Sequence, residues 1–396
     1  MKPFEKFAAQ SDDERLIRRE LPIYNTAGDI RSPFDRDYTR ILHSFGFRRL
    51  KHKTQVFFGG AGNDHVCTRM EHVTHVGSVA FTIADALGLN LSLVNAMALG
   101  HDMGHAPFGH HGERVLSDIT EKYLGEKFWH ERNGLHFVDD IELLQDHQER
   151  MQNLNLTYAV RDAIISHCGE IDESSLRPRT EYIDLSEFKK PGQYQAFTWE
   201  GCVVKLSDKI AYLGRDIEDA EMLGYFDSDL KAELQEMSKG FGDHQAINTP
   251  SIIHNLILDI CANSTPEKGL CFSPDVYALL CRIKEFNYRN IYMSPRLESY
   301  RKYSELIINE LFRVFMEYYN GSDTVRLMAS RKYDKLGFVK EFAEWVPKYC
   351  DGTDGLNKKI YGRLDTSELY VRAVVDFISG MTDTYAEKSF EELLKC

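Results

Sequence analysis

Paired cysteines and long apolar runs are what this sequence lacks. Its eight cysteines are scattered with no C-x-x-C pair, a spacing that fits neither a zinc ribbon nor a disulfide framework. No stretch approaches the roughly 20 apolar residues of a membrane span. The first residues, Met1 to Lys6, hold no apolar segment typical of a signal peptide. We therefore expect reduced thiols, a cytoplasmic location and no membrane partner.

Basic residues are too few for a general nucleic-acid binder. Lysine and arginine number 48 against 61 aspartates and glutamates, so the formal net charge is −13. Binding to nucleic acid depends largely on neutralising phosphates. Nucleic acid is therefore not expected as the main partner, although a local basic pocket remains open. Hydrophobic residues make up 43% of the chain, enough for the core of one large domain or two ordinary ones.

Alternating strand patterns are scarce, and helical periodicity dominates. One apolar face recurs at steps of three and four residues, which is typical of an amphipathic helix. It consists of Val73, Val76, Ala80, Ile83, Ala84 and Leu87. Further helical patterns cover 112–124, 134–148, 155–167, 200–223, 245–262, 274–287, 296–319 and 365–381. At most, Thr54–Phe58 and a short piece near 195–199 could pair as a small hairpin.

These patterns predict an all-α protein. We expect an N-terminal extension over 1–29, a helical catalytic body over 30–225 and a helical C-terminal region over 226–396 packed on that body. Loops are expected at 59–66 and, among others, at 169–198. A loop as long as the second is usually functional or has minor structure of its own.

Histidines are concentrated in one part of the chain. Ten of the fifteen lie between His65 and His147. Within that part, the pair His101–Asp102 ends an apolar helical pattern and is followed at once by a glycine- and proline-rich loop. A lone His-Asp pair is most often a hydrogen-bonded pair in the core. Here the loop adds His105, and several imidazoles at one place favour a metal site instead.

The donors of such a site would be imidazoles and carboxylates, with no thiolate. These donors suit Mn²⁺, Fe²⁺, Co²⁺, Ni²⁺, Zn²⁺ or Mg²⁺, and the sequence does not choose between them. Two imidazoles and two carboxylates leave positions open on a six-coordinate ion. Hydrolysis needs such positions, because one can take a water whose pKa the metal lowers and another a phosphoryl oxygen.

Three strings carry a resemblance to a known family. They are K-T-Q-V at 53–56, H-D-x-G-H-x-P-F-G-H at 101–110 and S-D-K-I-A-Y-L-x-R-D at 207–216. Over roughly residues 30–225 the chain resembles the HD-domain deoxynucleoside triphosphate triphosphohydrolases, the deoxyguanosine triphosphate triphosphohydrolase-like proteins. The resemblance implies an HD-domain helical bundle with a helical C-terminal region.

By this resemblance, the metal ligands are His72, His101, Asp102 and Asp208. Asp208 illustrates how much the resemblance adds. It lies opposite the main apolar stripe of its predicted helix, and periodicity alone would place it on a solvent-exposed face. Its assignment to the site therefore depends on the resemblance and not on the pattern.

The resemblance also implies contacts to a deoxynucleoside triphosphate. The expected contacts are Arg69 and Lys209 at the phosphates, Tyr212 and Asp216 at the deoxyribose, and Gln55 at the sugar. Surface salt bridges for the two cations and core packing for the tyrosine are the alternatives. The segment 286–292 is a weaker match, and for Arg289 a phosphate contact and a surface position are equally expected.

The implied reaction is attack on the α-phosphorus, releasing a deoxynucleoside and inorganic triphosphate. The departing 5′ oxygen needs a proton, and histidine suits the task because its unperturbed pKa lies near neutrality. His110 is the first choice as general acid, with His105 and His130 close behind. Glu113 follows His110 by three residues and could orient or charge its ring.

Alternatives to this reaction remain. Another HD phosphohydrolase, such as a nucleotide phosphodiesterase, would share the metal ligands, and a non-catalytic nucleotide-sensing regulator is a further reading. By resemblance we also expect a homo-oligomer, a tetramer or hexamer, and a possible nucleotide activator. His75 and His167 are interpreted as histidines that either lie in the core with satisfied hydrogen bonds or support the ligands of the site from behind.

Overall fold

A computed structural model describes residues 2–22, 28–57, 65–146, 148–168, 174–239, 249–324, 326–327, 336–352 and 358–395. Within these ranges the protein is built of helices, with two very short antiparallel strand pairs. The prediction of an all-α fold is therefore confirmed. The end of the predicted strand, Phe58, and most of the loop expected at 59–66 lie outside the described residues.

The helices are joined by connections of very different length, and the longest separates Ser166 from Trp199. They are α1 Glu14–Ile17, α2 Pro33–His43, α3 Phe45–Arg49, α4 Arg69–Leu87, α5 Leu91–Gly100, α6 Gly109–Leu124, α7 His130–His136, α8 Tyr158–Ser166, α9 Trp199–Met222, α10 Ser228–Ser238, α11 Thr249–Asn263, α12 Pro274–Asn287, α13 Glu298–Met316, α14 Gly337–Trp345, α15 Ser367–Ser379 and α16 Asp383–Leu394. The strands are β1 Leu144–Gln145, β2 Met151–Gln152, β3 Ser175–Leu176 and β4 Leu270–Cys271, paired β1 with β2 and β3 with β4.

The predicted hairpin is wrong. Where the structure describes the chain, Thr54 forms a single bridge, to Thr68, and the piece near 195–199 leads into α9. Thr198 caps that helix, because its side chain accepts a hydrogen bond from the backbone N–H of Gly201. A residue that caps a helix in this way ends the extended segment before it.

The helix predicted over 134–148 is only partly correct. Helix α7 ends at His136 and continues as a wider π-type turn over Phe137–Ile141. The chain then becomes extended and forms β1. Asn153 holds this change of direction, since its side-chain amide donates to the backbone oxygen of Asp139.

The core divides into two apolar clusters that share the helices around the histidine-rich part of the chain. The first surrounds α4, α5 and α9, and Val76, Ala80 and Ile83 of α4 are fully buried in it. The second joins α6 to the C-terminal helices α13, α14 and α15. The His-Asp corner and the loop after it lie where the first cluster meets the second. None of the described helices combines the length and the apolar character that crossing a membrane requires.

Gly104 permits a close backbone approach in that loop. A Cβ at this position would lie 2.0 Å from the carbonyl oxygen of His130 and 2.1 Å from the backbone nitrogen of Gly134. We expect Gly104→Ala to lower the free energy of unfolding by about 3 kcal/mol, because two backbone segments would have to move apart. Urea denaturation followed by circular dichroism measures this.

Gly77→Ala is the matched control. Gly77 lies inside α4, and nothing would contact its Cβ within 4 Å. Replacing a helical glycine by alanine in open space is expected to stabilise by about 0.5–1 kcal/mol. Equal effects of the two substitutions would contradict the close packing of the loop against α7.

Candidate active site

Four side chains distant in sequence meet at one corner. His72 lies in the first turn of α4, which begins with a capping box between Thr68 and Glu71. His101 and Asp102 follow the end of α5, and Asp208 lies in the middle of α9. These are the four residues that the resemblance implied.

The distances at this corner are short. The Nε2 atom of His72 lies 2.9 Å from Oδ1 of Asp208 and 3.9 Å from Oδ2 of Asp102. The Nε2 atom of His101 lies 3.6 Å from Oδ1 of Asp102 and 4.0 Å from Oδ1 of Asp208. One ligand atom each from His72, His101 and Asp208 falls within 4.8 Å of the others.

The hydrogen bonds of His101 make this corner fit a cation. Its Nδ1–H donates to the backbone oxygen of Ala98 at 2.7 Å, so the lone pair is on Nε2. That atom is buried and has no hydrogen-bond partner among the described residues. A lone pair directed at two carboxylates is unfavourable unless a positive charge lies between them, and imidazole with carboxylate is a donor set for a divalent metal.

Asp102 is a buried carboxylate with two direct partners. Nη1 of Arg69 lies 2.8 Å from Oδ2, and Nε2 of His105 lies 2.9 Å from Oδ1. Burial by itself would raise the pKa of Asp102, but His105 and Arg69 hold that pKa well below its usual value. The hydrogen bond from His72, against the effect of burial, lowers the pKa of Asp208 to about 2. Both carboxylates are therefore ionised at neutral pH.

A second polar cluster lies beside the first. Glu113 accepts from Nδ1 of His110 at 3.0 Å and from Nδ1 and the backbone N–H of His130 at 3.0 and 2.9 Å. The rings of His105 and His130 are stacked with centroids 3.8 Å apart. Against burial, His130 and His110 lower the pKa of Glu113 well below its usual value, while Glu113 and Glu131 raise the pKa of His130 well above it.

Both clusters open into one cavity of about 1070 Å³. Five of the six predicted substrate contacts line it, namely Arg69, Lys209, Tyr212, Asp216 and Gln55. Arg289 does not. Its guanidinium lies 2.6 Å from the carboxylate of Glu233 in an exposed ion pair, so the geometry does not support the predicted phosphate contact. Arg301, which the sequence did not single out, lines the cavity instead.

Asp216 and Tyr292 form the far wall of the cavity. The hydroxyl of Tyr292 donates to Oδ2 of Asp216 at 2.5 Å. Burial raises the pKa of Asp216 to about 7. Tyr292 lies in the weakly matching segment 286–292, at the end of a wider π-type turn over Tyr288–Tyr292. It lines the cavity, whereas Arg289 does not.

Of the two interpretations of His167, the structure contradicts only the one in which all its hydrogen bonds are satisfied. The residue is buried at the end of α8, and its Nδ1–H donates to the backbone oxygen of Ile164 at 2.8 Å. Its Nε2 atom, however, has no hydrogen-bond partner among the described residues. His167 and the next residue, Cys168, line the cavity. Their only sequence signal is a position just after an apolar helix.

The C-terminal region holds the histidine loop in place. Asp383, the first residue of α16, accepts from the backbone N–H of Phe108 at 2.8 Å and of Thr54 at 2.9 Å. Nζ of Lys53 donates to the backbone oxygens of His105 and Ser379. Nothing in the sequence pattern pointed to Asp383, because the residues it contacts are about 275 positions or more away.

Comparisons with known proteins match both parts of this arrangement. Residues 69–213 match the HD domain family, and residues 338–392 match the phosphohydrolase-associated domain family. The chain is 33% identical over 388 residues to a deoxyguanosinetriphosphate triphosphohydrolase-like protein of Caldanaerobacter subterraneus subsp. tengcongensis. The aligned residues cover 98% of this chain and 91% of the relative.

Two further relatives have the same name. One, from Leptospira interrogans, is 32% identical over 407 residues and covers 97% of both chains. The other, from Desulfatibacillum aliphaticivorans, is 36% identical over 291 residues and covers 72% of this chain and 74% of the relative. Similarity of this extent spans the site and the C-terminal region together.

The raised pKa of Asp216 has a consequence for stability. Its carboxyl holds a proton to about pH 7 in the folded chain, while in the unfolded chain it loses that proton near its ordinary value of 3.8. The folded state is therefore penalised progressively as pH rises from about 4 to about 7. Asp216→Asn removes this penalty and keeps an acceptor for Tyr292, so it should stabilise metal-free protein by about 2 kcal/mol more at pH 8 than at pH 5.

Urea denaturation at the two pH values measures the difference. Asp118→Asn, at an exposed position of α6, is the matched control and is expected to follow the wild-type pH dependence. If the free energy of unfolding of Asp216→Asn changed with pH as that of wild type does, Asp216 would not hold a proton in the folded chain at neutral pH.

Proposed function

Because the chain belongs to the HD-domain family of deoxyguanosinetriphosphate triphosphohydrolase-like proteins and is a hydrolase, we propose that it hydrolyses deoxynucleoside triphosphates to deoxynucleoside and inorganic triphosphate. One observation carries the proposal. A single cavity is lined by residues of the His-Asp corner, by the histidine cluster on Glu113 and by the Asp216–Tyr292 wall. Its volume of about 1070 Å³ is at the upper end of the range for pockets that enclose small molecules.

The proposed metal ligands are His72, His101, Asp102 and Asp208. A divalent ion held there supplies Lewis-acid polarisation of a phosphoryl oxygen and activation of water. The buried, unpartnered Nε2 of His101 supports this set. Nitrogen and oxygen donors leave manganese, magnesium, cobalt, nickel, iron and zinc as candidates.

Arg69 and Lys209 are proposed to bind the phosphates. Both line the cavity beside the proposed metal ligands. Fixed positive charge at this point offsets the negative charge of the triphosphate and the further negative charge that develops during attack. Arg69 is held by Asp102, so its guanidinium is oriented before substrate arrives.

His110 is proposed as the general acid. Its side chain is 66% exposed and lines the cavity, whereas the rings of His105 and His130 are buried and stacked on each other. Glu113 accepts a hydrogen bond from Nδ1 of His110 at 3.0 Å and so orients the ring. The other nitrogen can then deliver a proton to the departing 5′ oxygen. His105 and His130 are proposed to hold oxygens of the α-phosphate.

Tyr212, Asp216 and Gln55 are proposed to contact the deoxyribose. The hydrogen bond between Tyr292 and Asp216 closes the wall behind the sugar. A wall that packs against the 2′ carbon would leave no room for a 2′ hydroxyl, so ribonucleotides are expected to be poor substrates. Assembly into a tetramer or hexamer, and activation by a nucleotide, belong to the same proposal by similarity.

The phosphate product tests the proposal. Metal-loaded protein is incubated separately with each dNTP and each NTP, and the products are separated by ion-exchange chromatography. We expect inorganic triphosphate and deoxynucleoside from at least one dNTP, and little turnover of NTPs. Monophosphate products would instead indicate a phosphodiesterase-type reaction. Tight dNTP binding without turnover, across all the candidate metals, would indicate a nucleotide-sensing regulator.

Substitution of His110 tests the choice of general acid. We expect His110→Ala to lower kcat by about 10²–10⁴-fold, because the leaving oxygen loses its proton donor, while bound metal and KM change little. His111→Ala is the matched control, since its ring contacts Tyr300 and not Glu113, and it should stay within a few-fold of wild type. Full turnover of His110→Ala with normal metal content would move the assignment to His105 or His130.

A further inference from the structure

Three potential metal ligands converge on the cavity wall outside the His-Asp corner. One ligand atom each from His130, His167 and Cys168 lies within 4.8 Å of the others. The closest pair is Nε2 of His130 and Sγ of Cys168, at 3.2 Å. His130 begins α7 and the other two residues follow α8, so helix packing brings the three together.

Both imidazoles are held with the same nitrogen available. Nδ1 of His130 is engaged by Glu113 at 3.0 Å, and Nδ1–H of His167 donates to the backbone oxygen of Ile164 at 2.8 Å. Each ring can therefore present a lone pair on Nε2. A histidine that donates from one nitrogen to a carboxylate or a carbonyl and ligates with the other is the usual arrangement at protein metal sites.

The surrounding charge favours a cation. Glu113 touches His130, and the carboxylate of Glu131 lies 3.6 Å from the same ring. Oε2 of Glu131 is buried and has no hydrogen-bond partner among the described residues, and neither has Nε2 of His167. Burial, then Glu131, raises the pKa of the Cys168 thiol, so a metal would have to displace its proton, as metals do at thiol ligands.

We propose that His130, His167 and Cys168 form a binding site for a thiophilic divalent cation, Zn²⁺, distinct from the His-Asp corner, and that its occupation inhibits hydrolysis. Two imidazoles and a thiolate leave one tetrahedral position for water. The His-Asp corner has no thiolate donor, so a metal–thiolate bond distinguishes an ion at the proposed site from an ion at the corner. Only the inhibition rests on the proposed function, because binding itself does not require turnover.

The closest pair of ligand atoms fits this ion with a small adjustment. Zinc bonds of about 2.0–2.1 Å to nitrogen and about 2.3 Å to sulfur place tetrahedral ligands roughly 3.6 Å apart. The observed 3.2 Å requires Cys168 to move a few tenths of an ångström. Cys168 is partly exposed and lies two residues beyond the end of α8, so this movement does not require a change within the helix.

The inhibition follows from what the ion would occupy. His130 stacks on His105 and shares Glu113 with His110. A zinc ion on Nε2 would replace the proton of the His130 imidazolium and take away the ring proposed to hold an α-phosphate oxygen. The rings of His101 and His167 lie 5.0 Å apart, so a second cation there would also lie close to the first.

Cobalt spectroscopy tests the site. Co²⁺ bound by a thiolate gives an intense ligand-to-metal charge-transfer absorption in the near ultraviolet, and Co²⁺ in the nitrogen–oxygen corner does not. The full-length protein is titrated with Co²⁺ and then with Zn²⁺, which should bleach the band. We expect the band in wild type, its loss in Cys168→Ala, and Zn²⁺ affinity at this site reduced by at least about tenfold.

Cys281→Ala is the matched control. Cys281 lines the same cavity but belongs to none of the metal-ligating groups found among the described residues. This variant should keep the absorption band and the wild-type sensitivity to Zn²⁺. Cys168→Ser is a second test of the site if Cys168→Ala folds poorly. In an assay with Mn²⁺, Zn²⁺ inhibition should weaken at least about tenfold in the Cys168 variants only.

The absorption band and the inhibition assay test the metal site and the proposed hydrolysis separately. A thiolate band in wild type that depends on Cys168 supports the site even if no dNTP is hydrolysed. Absence of the band, or a band that survives in both Cys168 variants, overturns the site whatever the turnover. A Cys168-dependent band with inhibition equal in all variants overturns the inhibitory role.

Discussion

Removing a carboxylate from water is costly unless other groups replace the lost hydration, and the arrangement of this protein's central cavity follows from one such carboxylate. Asp102 is almost completely buried, and it is held by Arg69 from the start of α4 and by His105 from the loop after α5. Satisfying this single charge brings two segments together that are more than 30 residues apart. His72 and His101, on the same two segments, are brought together as a result.

The loop that carries His105 has little regular structure, so its backbone groups need partners elsewhere. They find them in the C-terminal region. Asp383 accepts from Phe108, whose left-handed backbone begins α6, and Lys53 links His105 to the end of α15. The part of the chain that matches the phosphohydrolase-associated domain therefore completes the support of the loop. This dependence gives a physical reason for the HD part and the C-terminal region to occur in one chain.

The charge states of the cavity differ from one side to the other. Asp102, Asp208 and Glu113 are ionised because each faces a histidine or arginine, and Asp216 holds its proton to near neutrality because burial outweighs its neighbours. Under the proposed function, the charged side would receive the triphosphate and the metal, and the neutral wall would receive the sugar. His130, whose pKa is raised, and His167, whose Nε2 has no hydrogen-bond partner within the described ranges, line the same cavity.

The sequence by itself determined the helical fold and the His-Asp corner, since apolar periodicity and the glycine- and proline-rich loop after Asp102 are both local signals. Resemblance added Asp208, which periodicity alone would have left on a solvent-exposed face of α9. Only the tertiary structure decided that Tyr292 and not Arg289 faces the cavity and that Asp383 holds the loop. It also decided that Nε2 of His167 has no hydrogen-bond partner in the part of the chain that the structure describes. The reason is physical: a pattern along one helix reports which face is apolar, whereas the partner of a polar atom is set by whichever distant segment packs against that face.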